Sequence, residues 1–233
     1  TTRKIPAYAL LTDAALARIE DQADWILSKI GIDFRGDQAA LEMFAESGAH
    51  VEGERVRFDP GHARDLCATA PSEFKLHGRE SARTVTLGGD NIVLMPGYGS
   101  PFVSDLSNGR RYATLEDFRN FVKLTYNSPA LHHSGGTVVE PTDIPVNKRH
   151  LDMVLAHLTL STKPFMGSVT APDRAQDSIE MARLVFGRDF MERNAVMQAN
   201  INVNSPLVYD DTMSSALRID VEAGQCVCVS PAI

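Results

Sequence analysis

An α/β fold built around a parallel sheet is what this 233-residue sequence predicts, and three observations predict it. Strand-like starts fall at Leu131, Pro164, Ala195 and Cys226, at an interval of about 31 residues. Helical patterns lie between them: Leu151/Val154/Leu155/Leu158, Ile179/Ala182/Val185/Phe186 and Met213/Ala216/Leu217/Val221. Neither a G-x-G-x-x-G nor a G-x-x-x-x-G-K-[ST] loop is present, which removes the usual dinucleotide and P-loop readings. A steady strand–helix repeat favours a closed (β/α)8 barrel over a doubly wound sheet.

Each element can be justified in order. Leu16, Ile19, Ala23, Ile26 and Ile30 step along one face of a helix capped by Thr12 and stopped by Gly31. Leu41, Phe44 and Ala45 predict a second helix ending at Gly48, and "HVEGERVRF" a hairpin turning at Gly53. Asp59-Pro60 opens a third helix, which Pro71 closes. Residues 73–113 read as short strands, "FKLHG", "TVTLGGD", "NIVLMPG", "PFVSDL" and "RRYA", with Asn108-Gly109 as a hairpin turn. "TLED" then starts a helix on Leu115, Phe118, Val122 and Thr125. The division is 1–72 as an N-terminal helical region, 73–113 as a β-hairpin insert or cap, and 114–233 as the first half of a barrel. Eight units of this period need roughly 250 residues, so the chain holds about four and the C-terminal half is absent. A free half-barrel leaves sheet edges open, which predicts a homo-oligomer. The opening residues Thr1–Lys4 look trimmed.

Composition narrows the function. The net charge is −7, from 30 acidic and 23 basic residues, which argues against a phosphate backbone as partner. No apolar run is long enough for a membrane span. Three cysteines, Cys67, Cys226 and Cys228, make no disulfide framework and point to a reducing, cytoplasmic setting.

Three phrases carry a resemblance: "GIDFRGDQAALEMFAESGAHVEGERVRF", "MPGYGSPFVSDLSNGRRYATLEDFRNFVKL" and "NVNSPLVYDDTMSSAL". In them the chain resembles the trimethylamine methyltransferase family, including its members without pyrrolysine. The resemblance implies a (β/α)8 protein about twice this length. It implies transfer of a methyl group from glycine betaine, a related betaine or trimethylamine to cobalt(I) of a corrinoid. That cofactor rides on a partner protein and is not held tightly by this chain. Where the family has pyrrolysine, it lies in the half absent here.

A barrel places its chemistry at the C-terminal ends of its strands. Those mouths are Ser134-Gly135-Gly136, Gly167-Ser168, Asn202-Val203-Asn204-Ser205-Pro206 and Ser230-Pro231. They hold no carboxylate or histidine, so no catalytic acid, base or nucleophile is assigned. The substrate-binding candidates are Asn202, Asn204 and Ser205 with the aromatics Tyr98, Phe102 and Tyr209, whose ring faces suit a methylated ammonium. Ser134, Gly135, Gly136, Gly167, Ser168 and Ser230 are the corrinoid-facing candidates. Small residues also end strands simply because turns need them. Cys226 and Cys228 share one strand face and suit zinc chemically, but no further ligands are placed, so no metal is assigned. His132, His133 and His157 read as structural, Asp210-Asp211 as a helix cap, and Asp143 as a loop acid orienting a mouth. A folate acceptor and a non-catalytic methylamine-binding subunit are the rival readings.

Overall fold

The computed structural model describes residues 1–6, 8–97, 99–204 and 206–231. Its α/β core is a three-stranded parallel sheet in the order β11–β9–β8, from β8 (Phe165–Met166), β9 (Met197–Val203) and β11 (Cys226–Pro231). The crossovers are α6 (Pro172–Phe186), followed by the short α7 (Arg188–Met191), and α8 (Asp211–Glu222). Strands paired in parallel cannot be joined by a tight turn, so each connection carries a helix. α5 (Val146–Leu160) precedes β8 and packs on α6. Val154, Leu158, Phe165, Ile179, Ala182 and Met197 form the apolar layer between sheet and helices.

The strand expected at Leu131 does not form. Residues 133–136 still run beside β8: the Ser134 amide donates to the Pro164 carbonyl at 2.8 Å and the Met166 amide to the Gly135 carbonyl at 2.9 Å. Gly135 sits at φ +89°, which turns the backbone out of extended geometry and interrupts the ladder. The spatial order is therefore 133–136, β8, β9, β11, the order expected of successive βα units. The "NIVLMPG" run is not a strand either. The Leu94 amide is taken by the His132 ring at 3.0 Å, and the Leu94 carbonyl by the amides of His132 and His133.

The N-terminal region builds a second sheet. Here α1 (Asp13–Trp25), β1 (Ile32–Arg35), α2 (Gln38–Glu46), β2 (His50–Glu52), β3 (Arg55–Arg57) and α3 (His62–Cys67) follow in turn. The Thr12 cap and the glycine stops at Gly31 and Gly48 form as the sequence predicts. The apolar face of α1 does not bury: Leu16 and Ile19 are 47% and 58% exposed. Polar contacts fasten α1 instead. Arg64 pairs with Glu20 and Asp24, and Asp24 accepts the Gly61 amide. The sheet order is β10–β1–β3–β2, because β10 (Val208–Asp210) pairs in parallel with β1. Nothing in the residue pattern marks this joint. It sets the N-terminal sheet beside the C-terminal end of β9.

The insert divides between the two ends of the core. The hairpin β4 (Glu73–Leu76)–β5 (Val85–Gly88) lies at the N-terminal ends of the core strands, where the His77 amide donates to Ala195 and the Arg79 amide to Thr162. The second hairpin, β6 (Phe102–Asp105) and β7 (Gly109–Tyr112), leads into α4 (Leu115–Asn127) through a full Thr114/Asp117 capping box. No helix among the described residues is long and apolar enough to cross a membrane.

Candidate active site

Strand alternation sorts the sheet into two faces. Met197, Ala199 and Ile201 are buried toward the helices, with Val227 of β11 packed in the same layer. Gln198, Asn200 and Asn202 point the other way. In register with them on β11 stand Cys226, Cys228 and Ser230. The result is an uncharged wall of amides, thiols and a hydroxyl on the face that carries no helix. Ser230 Oγ donates to Asn202 Oδ1 at 2.7 Å, and Asn200 Nδ2 lies 3.3 Å from the same oxygen. With Oδ1 accepting from both, the Asn202 amide is fixed with Nδ2 as its donor end. The thiols share the face, as the sequence predicts. Burial, and then Cys228 beside it, push the Cys226 thiol up to about 11. No group of three His, Cys, Asp or Glu able to hold a metal occurs among the described residues.

Pro96, Gly99 and Ser100 of the "MPGYGSPF" stretch line up along the first mouth. The Gly99 amide donates to the Thr137 carbonyl at 3.0 Å and the Glu140 amide to the Ser100 carbonyl at 2.8 Å. Pro96 packs so closely on Gly135 that an added Cβ there would lie 2.7 Å from the proline ring. Ser134, Gly135 and Gly136 are accordingly buried. Ser134 Oγ donates to His157 Nδ1 at 2.8 Å, and His157 Nε2 donates to the Gly136 carbonyl at 2.8 Å. A carbonyl only accepts, so His157 Nε2 carries a proton. Burial pushes His157 down to about 4. His133 is pushed down to about 3 by burial and by His157, with the Phe165 backbone a partial offset. Both histidines are buried in the core.

Gly167 and Ser168 end β8 and are half-buried. A Cβ on Gly167 would come within 2.3 Å of Met197 Cε, so a larger residue there would displace the end of that methionine side chain. Between these two mouths and α5 lies a cavity of about 20 Å³, lined by Gly136, Thr137, His150, His157, Gly167 and Ser168 among others. His150 donates from Nε2 to Asp177 Oδ2 at 2.8 Å, and its buried Nδ1 has no partner in the structure.

The remaining candidates are dispersed. Asn204 donates to Asp210 Oδ2 at 2.6 Å, and Asp210 caps α8 through the Met213 amide, the capping role expected for that acid. Tyr209 stacks on Phe34 with centroids 5.2 Å apart, inside the N-terminal core. Phe102 carries the Arg110 guanidinium 3.7 Å from its ring centre. Asp143 accepts the Leu115 amide at 2.8 Å, tying the loop after the first mouth to the start of α4. Tyr98 and Ser205 lie outside the described residues. Sequence reasoning missed Gln198 and Asn200 as site residues. The signal was there: they alternate with Met197, Ala199 and Ile201, which periodicity assigns to the covered face.

A parallel sheet with helices on one face and an uncharged wall of hydrogen-bonding side chains on the other defines an α/β protein. The sequence profile of the trimethylamine methyltransferase (MTTB) family matches residues 1–233, and the chain belongs to that family. It is 43% identical over 227 residues to a glycine betaine methyltransferase of Desulfitobacterium hafniense (strain Y51), covering 97% of this chain and 47% of that protein. It is 30% identical over 139 residues to an L-carnitine:corrinoid methyltransferase of Eubacterium limosum, covering 59% of this chain and 27% of the relative. A proline betaine:corrinoid methyltransferase of the same organism is 26% identical over 215 residues, covering 88% and 43%. The chain spans about half the length of the first of these relatives or less.

Proposed function

We propose that this chain supplies the first strands of a (β/α)8 methyltransferase that removes a methyl group from glycine betaine or a related betaine. A corrinoid carried on a partner protein is the proposed acceptor. The observation that carries the reading is the uncharged wall of Gln198, Asn200, Asn202 and Ser230, in a chain 43% identical to a glycine betaine methyltransferase. The donor set fits. Amide N–H groups can hold a betaine carboxylate, and no carboxylate on the wall competes for its ammonium end. The corrinoid, when docked, supplies the cobalt(I) nucleophile that accepts the methyl group. Gly167, Ser168 and Ser230 are the candidates with exposure on that side, and buried Ser134, Gly135 and Gly136 set the mouth behind them.

The chain's own task is then binding, orientation and exclusion of water. A quaternary ammonium leaves as a neutral tertiary amine that keeps the C–N electron pair, so the step needs no general acid. That agrees with mouths lacking one. Tyr98, flanked in the sequence by Gly97 and Gly99, is our candidate ring for the ammonium. Phe102 and Tyr209 are already engaged with Arg110 and Phe34. We further infer a homo-oligomer from Leu151, Leu155, Leu184 and Val185, which stay exposed on the neighbouring helices α5 and α6. Three free cysteines fit a reducing, cytoplasmic setting.

The test is product formation by the whole protein with glycine betaine and a reduced corrinoid partner. Demethylated betaine and methylated corrinoid are expected, and Asn202→Ala should raise KM about tenfold with its melting temperature preserved. Methyl recovered on a folate, or betaine binding without turnover, would overturn the assignment.

A further inference from the structure

A second cavity lies at the N-terminal ends of the core strands, away from the mouths. It measures about 300 Å³ and is lined by Arg83, Thr84, Thr86, Asn91, His132 and Lys163 among others. The lining holds the side-chain cations Arg83 and Lys163, with Thr1 beside them, and no carboxylate side chain. Lys163 is only 4% exposed. Its ammonium donates to the carbonyls of Thr125 at 2.7 Å and Ser128 at 2.9 Å, which leaves one N–H for another acceptor. Neither Lys163 nor Arg83 has an acidic partner among the described residues.

The two cations share one aromatic neighbour. Both lie over the Tyr126 ring, the Arg83 guanidinium 5.3 Å and the Lys163 nitrogen 5.8 Å from its centre. Burial, and then Arg83, push the Lys163 ammonium below its ordinary value. His132 completes the group. Its Nδ1 accepts the Leu94 amide, so Nε2 carries the ring proton, which faces the Thr1 hydroxyl at 3.4 Å. Two like charges confined in a half-covered cleft repel, and an anion between them turns that cost into attraction. Arg83 offers a planar fork, Lys163 a point charge, and the threonines hydroxyl donors. That set matches a dianionic oxyanion better than a monocarboxylate, which would neutralise only one charge.

We propose that this cleft binds a phosphate group, either free phosphate or the phosphate of a small monoester. It stands apart from the wall and does not depend on the methyl-transfer reading.

Thermal melting and calorimetry on the whole protein test it, with inorganic phosphate and glycerol 3-phosphate as probes and sodium chloride holding ionic strength constant. Phosphate should bind and raise the melting temperature where chloride does not. Arg83→Gln should weaken phosphate binding roughly tenfold or more while melting normally in chloride. Arg79→Gln, on the same hairpin but outside the cavity, should leave binding unchanged. Lys163→Met serves as a second variant, and Arg83→Gln decides alone if that buried position does not tolerate the change. Tighter binding of glycerol 3-phosphate assigns a monoester, and equal or weaker binding assigns free phosphate. Equal stabilisation by chloride and phosphate, or unchanged phosphate affinity in Arg83→Gln, would overturn the proposal.

Discussion

Asp220 has no exposed surface, and neither of its carboxylate oxygens has a hydrogen-bond partner in the structure. Burial pushes its pKa up to about 7. The unfolded chain loses this proton near pH 4, while the folded chain keeps it until about pH 7. Between those values the folded state binds more protons, so stability falls as pH rises and then levels off. Asp220→Asn should therefore flatten that slope and raise stability at pH 8 by about 2–4 kcal/mol. Urea denaturation at pH 5, 6.5 and 8 checks it, and a variant that keeps the wild-type slope would show another group responsible. Nothing in the sequence marked this residue, since an Asp in a helix reads as solvated until its burial is known. Cys226 and Cys228 were legible, because alternation along a strand depends on local geometry alone.

At the scale of elements, local chemistry was readable and close approach was not. The Thr114/Asp117 box could be read from four letters, and the structure adds Arg111, which donates to the Asp117 carboxylate at 2.6 and 2.8 Å. Thr114→Ala should cost about 1 kcal/mol, and Asp117→Ala more, because it also releases Arg111. Parallel thermal melts rank the two. The first mouth shows the opposite case. "HHSGG" resembles a strand end by composition, yet Gly135 bends it and the Pro96 loop covers it. Gly135→Ala would place a methyl group against Pro96 at a φ unfavourable to alanine. It should displace the Pro96 loop and reduce betaine turnover more than it reduces the melting temperature. A variant with normal turnover would show that the loop does not shape the site.

For the molecule as a whole, the joint between β1 and β10 decides how the parts meet. Phe34 of β1 stacks on Tyr209 of β10, and Asp37 at the start of α2 accepts from Ser214 and Arg218 of α8. Burial raises the Asp37 carboxyl, but those two donors prevail and hold it below its ordinary value. Phe34→Ala should cost about 3 kcal/mol, visible as a lower urea midpoint. If the joint holds the third mouth in place, weaker betaine binding should follow. No periodicity could reveal this pairing, because both strands are short and their partners lie far apart in the chain. The βα order of the core was legible because each unit repeats the same local pattern. The joint also sets an order of events in synthesis. When β1 leaves the ribosome, its partner Val208–Asp210 has yet to be made. The edge of β1 that β10 will occupy therefore stays open while most of the chain is translated. Nascent chains stopped ahead of residue 208 should expose that edge to chaperones or to one another, and those extended past β10 should not.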